Sequence, residues 1–271
     1  MLDAPQDHDT PLMQDPAFAV ALRLCGQNPV ILPTGHILLQ RRILGVRIAM
    51  LPRAAPHPDL WQHLRALGLQ RIPLILSPEH PCTLPRAMRL RGSQNIAQLQ
   101  LHPDRAVARA TLHAKWRNQL KRAEAAHLRV TDGPMPSHTD HHPLLILEAA
   151  QARARGYTNW PNTLTAAFAK AAPDQTRLFM AYAGNTVVAH ALFLLHGRRA
   201  TYHIAHITKR GKALCAHNLL LWRASRWLAE QGHNQLDLGL VDPRTPGLNR
   251  FKLRTGAHLS QTGGTWLRWH P

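Results

Sequence analysis

Cysteine is scarce. Cys25, Cys82 and Cys215 are odd in number and far apart, which excludes a disulfide framework and shows no zinc spacing. Long apolar runs are absent too. The stretches 187–195, interrupted by His190, and 144–147 fall well short of the roughly 20 residues a membrane helix needs. The first 16 residues carry Asp3, Asp9 and Asp15 and no basic segment, so no secretory leader is expected and the cytoplasm is the expected location. Acidic residues are the scarcest class relative to their counterparts: 15 Asp and Glu stand against 33 Lys and Arg, a net charge of +18 with histidine neutral. Such an excess bears on partners rather than fold. It suits a polyanion such as tRNA, the phosphates of CoA, a lipid-linked pyrophosphate or a membrane surface.

What is present reads as globular: 271 residues, 45% hydrophobic and 18% charged. Residues 178–183, 187–195 and 200–207 are β-prone runs separated by Gly184-Asn185 and Gly197-Arg198, the pattern of an antiparallel meander. The period then changes. Leu214, Leu221 and Leu228 recur every seven residues, with Leu220, Ala224 and Trp227 on the same side and Arg223, Arg226 and Glu230 opposite. That is an amphipathic helix, stopped by Gly232. A strand at 235–240 follows, and 265–269 is expected to close the sheet.

The first third reads as a shorter version: strands at 30–32, 37–40 and 43–51, a helix at 59–67 ended by Gly68, and strands at 71–76 and 95–101. A basic helix is expected over 104–127, with Arg105, Arg109, His113, Arg117 and Lys121 stepping by four along it, a stripe that reads either as a solvated helix face or as a track for RNA or lipid phosphates. Trp116 is its sole aromatic neighbour, so sequence-specific RNA reading is not indicated. A Gly/Pro/His-rich linker at 131–143 and helices at 144–155 and 162–172 lead into the meander. The expected division is 1–102, 103–143 and 144–271. The adjacent histidines of His138-Thr139-Asp140-His141-His142 lack the convergent geometry of a metal site, and no metal is expected.

Several segments in order resemble a known family. They are Lys115-Trp116-Arg117-Asn118 with Lys121-Arg122-Ala123-Glu124, Gly184-Asn185-Thr186-Val187-Val188-Ala189, Leu219-Leu220-Leu221-Trp222, Leu236-Asp237-Leu238-Gly239, and Gly247-Leu248-Asn249-Arg250-Phe251-Lys252 followed by Gly256. Over about residues 95–260 the chain resembles the Fem-type branch of the GNAT superfamily. That resemblance implies an α+β GNAT fold, with a shortened GNAT-like N-terminal half followed by a fuller C-terminal GNAT domain. It implies transfer of an acyl group to an amine, from acyl-CoA or, as in the peptidoglycan bridge-forming peptidyltransferases, from aminoacyl-tRNA. It also assigns the lysine of Phe251-Lys252 to the active site, and Lys115 and Arg117 to substrate binding. The chain departs from the family in having Leu240 where a second glycine is common.

Acyl transfer needs a bound ester or thioester, an oxyanion donor and a deprotonated amine. In GNAT folds the donor pyrophosphate sits on the loop before the long helix, here Thr208-Lys209-Arg210-Gly211-Lys212-Ala213, with Thr208 where Arg or Gln is usual. Lys252 reads as an oxyanion stabiliser or as a surface lysine after a core phenylalanine, and Asp237, a carboxylate in mid-strand, as a group that accepts a proton or orients the amine or, equally, as the cap of a neighbouring loop. His203 and His206 lie on the strand that receives the acyl carbonyl, and strand alternation points them to opposite faces. The leading expectation is acyl-CoA-dependent acylation of a small-molecule or envelope-precursor amine. Its rivals are aminoacyl-tRNA-dependent transfer and a catalytically silent polyanion-binding module.

Overall fold

The computed structural model describes residues 9–136 and 141–269. The chain runs α1 (Pro16–Leu24), β1 (Val30–Ile31), β2 (Ile37–Ile43), β3 (Val46–Pro52), α2 (Leu60–Ala66), β4 (Leu74–Ser77), β5 (Met88–Arg91), β6 (Asn95–Gln100), α3 (Arg105–Ala110), α4 (Ala114–Ala125) and β7 (Arg129–Gly133). It continues as α5 (Pro143–Arg155), α6 (Asn162–Ala171), β8 (Thr176–Ala183), β9 (Thr186–His196), β10 (Arg199–Ile207), α7 (Lys209–Ala213), α8 (Ala216–Glu230), β11 (Gln235–Leu240), α9 (Pro246–Leu253), β12 (His258–Gln261) and β13 (Thr265–Arg268). Two mixed sheets result, β1-β2-β3-β4-β13-β5 and β12-β6-β11-β10-β9-β8-β7. This is an α+β arrangement, as expected.

The sheets exchange strands across the expected division. β6 lies within 1–102 but pairs antiparallel with β11, Leu236 opposite Leu99. Four of its six residues are buried, as befits a strand covered on both faces. β13 does not close the larger sheet. It inserts between β4 and β5, Trp266 opposite Leu76 and Arg89. Gly263 makes that entry possible, because a Cβ there would lie 2.5 Å from the His80 carbonyl oxygen and 2.7 Å from Pro78.

Helices cover both faces of the larger sheet. On one, Trp116 and Leu120 of α4 and Leu220, Leu221 and Leu228 of α8 pack against Phe179, Phe193 and Leu236. On the other, Phe18, Leu145 and Phe168 from α1, α5 and α6 pack against Leu192, Leu194 and Ile204. Each such side chain contributes about 1.5–3 kcal/mol on burial, so neither face is dispensable. α1 starts at a cap the sequence displays: the Asp15 side chain accepts from Ala17 N at 2.8 Å and Pro16 holds the first helical position.

β10 carries a bulge. Tyr202 pairs with Phe193, Ile204 with Leu192, and His203 is the extra residue. The bulge resets the alternation: Tyr202, Ala205 and Ile207 face α8, whereas Ile204 faces α6. His203 bonds to Thr165 of α6, and His206 pairs across from His190, which shares the face of Leu192. The expectation of opposite faces is thereby corrected: His203 and His206 point to the same side.

After β10 the chain is fastened to β9. Thr208 donates to the Val188 carbonyl through its amide at 3.0 Å and its hydroxyl at 3.2 Å. A Cβ on Gly211 would stand 2.3 Å from that same oxygen and 2.9 Å from Ile207. Gly211 is therefore a packing glycine, and Gly211→Val is expected to strain the fold itself, costing about 1–3 kcal/mol or more in urea unfolding. Burial drives several histidines down, His190, His196 and His217 to about 4 and His203 to about 3. With unfolded values near 6.5, the unfolded chain binds more protons below that pH. Stability should accordingly be full above about 6.5 and fall as the pH drops toward 4, with His196, only 4% exposed, contributing on the order of 3 kcal/mol. Denaturant midpoints measured across that window check the slope.

Candidate active site

β10 and β11 run parallel and pair over three rungs only, Arg199–Gln235, Ala200–Leu236 and Thr201–Asp237. Beyond them β10 stays with β9 and β11 with β6, so the two strands part. Each strand bends as it leaves. β10 has the His203 bulge, and β11 turns at Gly239 (φ 79°), whose amide donates to Asp237 Oδ1 at 2.6 Å. The outcome is a split between β10 and β11 beyond their third rung.

α9 delivers Lys252 to this split. Pro246 occupies its first turn, and one turn before its end Phe251 packs toward Trp116 (6.2 Å between rings) and His217 (6.4 Å). That packing turns Lys252 inward. It is only 6% exposed, donates from Nζ to the Leu240 carbonyl at 2.8 Å, and sits 3.6 Å from where a Cβ on Gly239 would be. Burial lowers its pKa to about 8, against the opposing pull of the Asp237 carboxylate. Lysine is almost never this buried without a partner, and here a carbonyl and a carboxylate supply it.

A cleft of about 340 Å³ opens beside the split, between the halves, lined by Asp237, Gly239, Leu240, His203, Trp160 and the arginines Arg53 and Arg199. Arg53 of the smaller half lies 3.4 Å from Asp237 and 3.7 Å from Glu79, and Arg199 lies 2.8 Å from Glu79. His203 belongs to the cleft wall. Its Nε2 is hydrogen-bonded to Thr165 at 2.9 Å, its ring packs 4.9 Å from Trp160, and its low pKa keeps it neutral. Arg53, Glu79, Arg199 and Trp160 escaped sequence reasoning, since no motif links positions so far apart.

The 208–213 segment is a helical turn in which the Thr208, Gly211 and Lys212 amides are engaged, Thr208 N donating to the Val188 carbonyl. Gly211 N donates to Thr208 Oγ1, Lys212 N to Thr208 O, Leu214 N to Arg210 O and Cys215 N to Lys212 O. α8 starts only after Cys215, which is left-handed (φ 53°). Lys209, Arg210 and Lys212 are exposed, and Ala213 ends the turn. An anion at this place would meet basic side chains more readily than a ring of free amides.

The expected basic stripe is broken. Residues 111–113 separate α3 from α4, where the His113 ring caps the second helix by accepting from Lys115 N at 3.1 Å. Arg109 forms a bidentate pair with Glu124 at 2.8 and 2.9 Å, and Arg117 donates to the Leu112 carbonyl at 2.6 Å. Lys115 is exposed. Of the histidine-rich linker, His138, Thr139 and Asp140 lie outside the described residues. His142 caps α5 by accepting from Leu144 N, and no metal-holding cluster occurs among the described residues.

Comparison places this geometry. No curated protein matches the chain by sequence. The crystal structure of FemX superposes with a TM-score of 0.72 at 11% identity, over 98% of this chain and 96% of that one. The C-terminal domain of a putative lysylphosphatidylglycerol synthetase from Agrobacterium fabrum gives 0.60 at 14% identity, over 96% and 89%. A tandem GNAT protein from the clavulanic acid biosynthesis pathway gives 0.51 at 14%, over 86% and 78%. At these identities the likeness is one of fold, two GNAT-like halves in tandem. The acetyltransferase (GNAT) domain family matches residues 97–253, more than half of the sequence and the whole of the split, α8 and α9 through Lys252. The chain belongs to the acetyltransferase (GNAT) domain family.

Proposed function

We propose that the chain is an aminoacyltransferase that moves an aminoacyl group from aminoacyl-tRNA to an amine acceptor. The observation that carries this reading is the pairing of an open β10–β11 split, edged by the buried Lys252, with a 208–213 turn whose Thr208, Gly211 and Lys212 amides are already bonded. A CoA pyrophosphate relies on free amides at that turn, whereas a tRNA end needs the split and basic side chains elsewhere to attract its phosphates. The net charge of +18 and the likeness to FemX support the same choice.

In this reading the ester carbonyl lies in the split. The acceptor amine enters from the cleft and attacks the carbonyl carbon, forming the C–N bond. Negative charge grows on the carbonyl oxygen, where the Lys252 ammonium offsets it. The ester C–O bond then breaks, the ribose oxygen takes a proton, and the amine loses one. Asp237 is the carboxylate placed between cleft and split to receive it. Arg53, 3.4 Å away, orients Asp237.

Acyl-CoA remains the second reading, favoured by the exposed Lys209, Arg210 and Lys212 beside the split. Calorimetric titration of the chain with acetyl-CoA, deacylated tRNA and charged tRNA separates the donors. Saturable, salt-sensitive binding of charged tRNA is expected. Saturable acetyl-CoA binding with transfer to an amine overturns the tRNA reading, and polyanion binding with no transfer to any amine makes the chain a silent binding module.

Lys252→Met keeps the stem volume and removes the charge. By freeing the Leu240 carbonyl it should cost about 1–3 kcal/mol of stability, and with donor binding near wild type it should lower turnover about 100-fold or more. Because burial sets Lys252 near pH 8, wild-type turnover should decline as the pH rises through about 8, where the ammonium is lost. A flat profile to pH 9, or full activity in the variant, removes Lys252 from the chemistry.

A further inference from the structure

The β2–β3 hairpin ends in a tip the fold does not explain. Ile43 pairs with Val46 and the chain reverses through Leu44 and Gly45, both with positive φ (50° and 81°). Turns with this geometry favour Asn-Gly, because a bulky side chain is strained in the left-handed region. Here the strained position holds a leucine, and that leucine is 99% exposed. Ile43 and Val46 beside it are 50% and 46% exposed. Neither conformation nor burial rewards these choices within the chain.

Basic residues surround the tip. Arg41 and Arg42 precede Ile43, and Arg47 follows Val46. Arg41 donates to Gln27 Oε1 and to the Gln40 carbonyl, and Arg47 donates twice to Gln40 Oε1 at 2.9 and 2.6 Å. These acceptors are neutral, so the guanidinium charges are held in place without being cancelled. The three arginines and Gln27, Asn28 and Gln40 line an open basin of about 470 Å³ next to the tip. No Asp or Glu occurs between Asp15 and Asp59, and no Phe, Tyr or Trp between Phe18 and Trp61.

We infer that the β2–β3 hairpin is a docking element for an anionic lipid bilayer. Leu44 and its aliphatic neighbours enter the interfacial layer while Arg41, Arg42 and Arg47 take lipid phosphates at its rim. An exposed aliphatic tip ringed by uncompensated arginines matches a surface that is apolar within and anionic outside. Nucleic acid would use the same charges but has no use for a leucine tip, and the hairpin offers no aromatic platform for bases. This surface is independent of which acyl donor the split takes.

The test is cosedimentation of the full chain with vesicles of phosphatidylglycerol and phosphatidylcholine in equal parts, and with phosphatidylcholine alone. Binding is expected to the mixed vesicles, weakening with added salt, and far less to the neutral ones. Leu44→Asn puts a residue suited to the left-handed turn in place of the leucine, so the melting temperature should not fall. Its vesicle affinity should drop about tenfold or more. Arg42→Gln with Arg47→Gln should weaken binding about 25-fold, roughly fivefold per charge. Absence of wild-type binding to anionic vesicles, or unchanged binding in both variants, overturns the inference. So does wild-type protein that ignores vesicles but retains bulk tRNA through the same arginines, since that assigns the hairpin to nucleic acid.

Discussion

Two parallel strands that pair for three rungs and then separate leave amides and carbonyls facing each other across a gap. Leaving such a group unpaired away from water costs about 1–3 kcal/mol, so a standing split demands substitutes. The residues around it supply them. Lys252 donates to the Leu240 carbonyl, Asp237 accepts from the Gly239 amide, and Gln151 of α5 donates to the Ala205 carbonyl. Three side chains from different elements thus hold the gap open. Two of them, Lys252 and Asp237, are also the groups to which the proposed acyl transfer assigns the chemistry, so in that proposal the polar atoms that make the gap tolerable are those a reacting carbonyl would meet.

The same gap ties the halves together. Arg53 follows β3 with positive φ (55°) and reaches across to Asp237 and Glu79, while Arg199 at the start of β10 completes the chain through Glu79. These side chains are 13–23% exposed, sheltered enough for their charges to matter more than a surface pair's. The smaller half contributes a wall to the cleft and a counter-charge to its carboxylate. That gives a physical reason for a GNAT-family domain to keep a reduced partner half.

Much of the larger sheet was legible because its elements announce their period: the meander β8-β9-β10, the heptad leucines of α8 and the short β11 stand close to where the pattern put them. Which sheet a strand joins was not legible. β6 and β13 read as strands either way, and only the close approach at Gly263 and the covered faces of β6 assign them. The shared face of His203 and His206 was hidden because a bulge has no residue signature. Lys252 stood out through its motif, yet its burial could not be read, since a lysine after a core phenylalanine is usually solvated. The cap of α1 at Asp15-Pro16 was in plain view and went unread.

β13 has one more implication. It occupies the slot between β4 and β5, although residues 92–264 come between them in the chain. At typical ribosomal speeds of about 5–20 residues per second, the smaller sheet must wait on the order of ten seconds or longer for its missing strand. Through that interval the facing edges of β4 and β5 are open, and the larger sheet has time to form first. The slot between β4 and β5 is therefore filled only after β6 to β12 have been made.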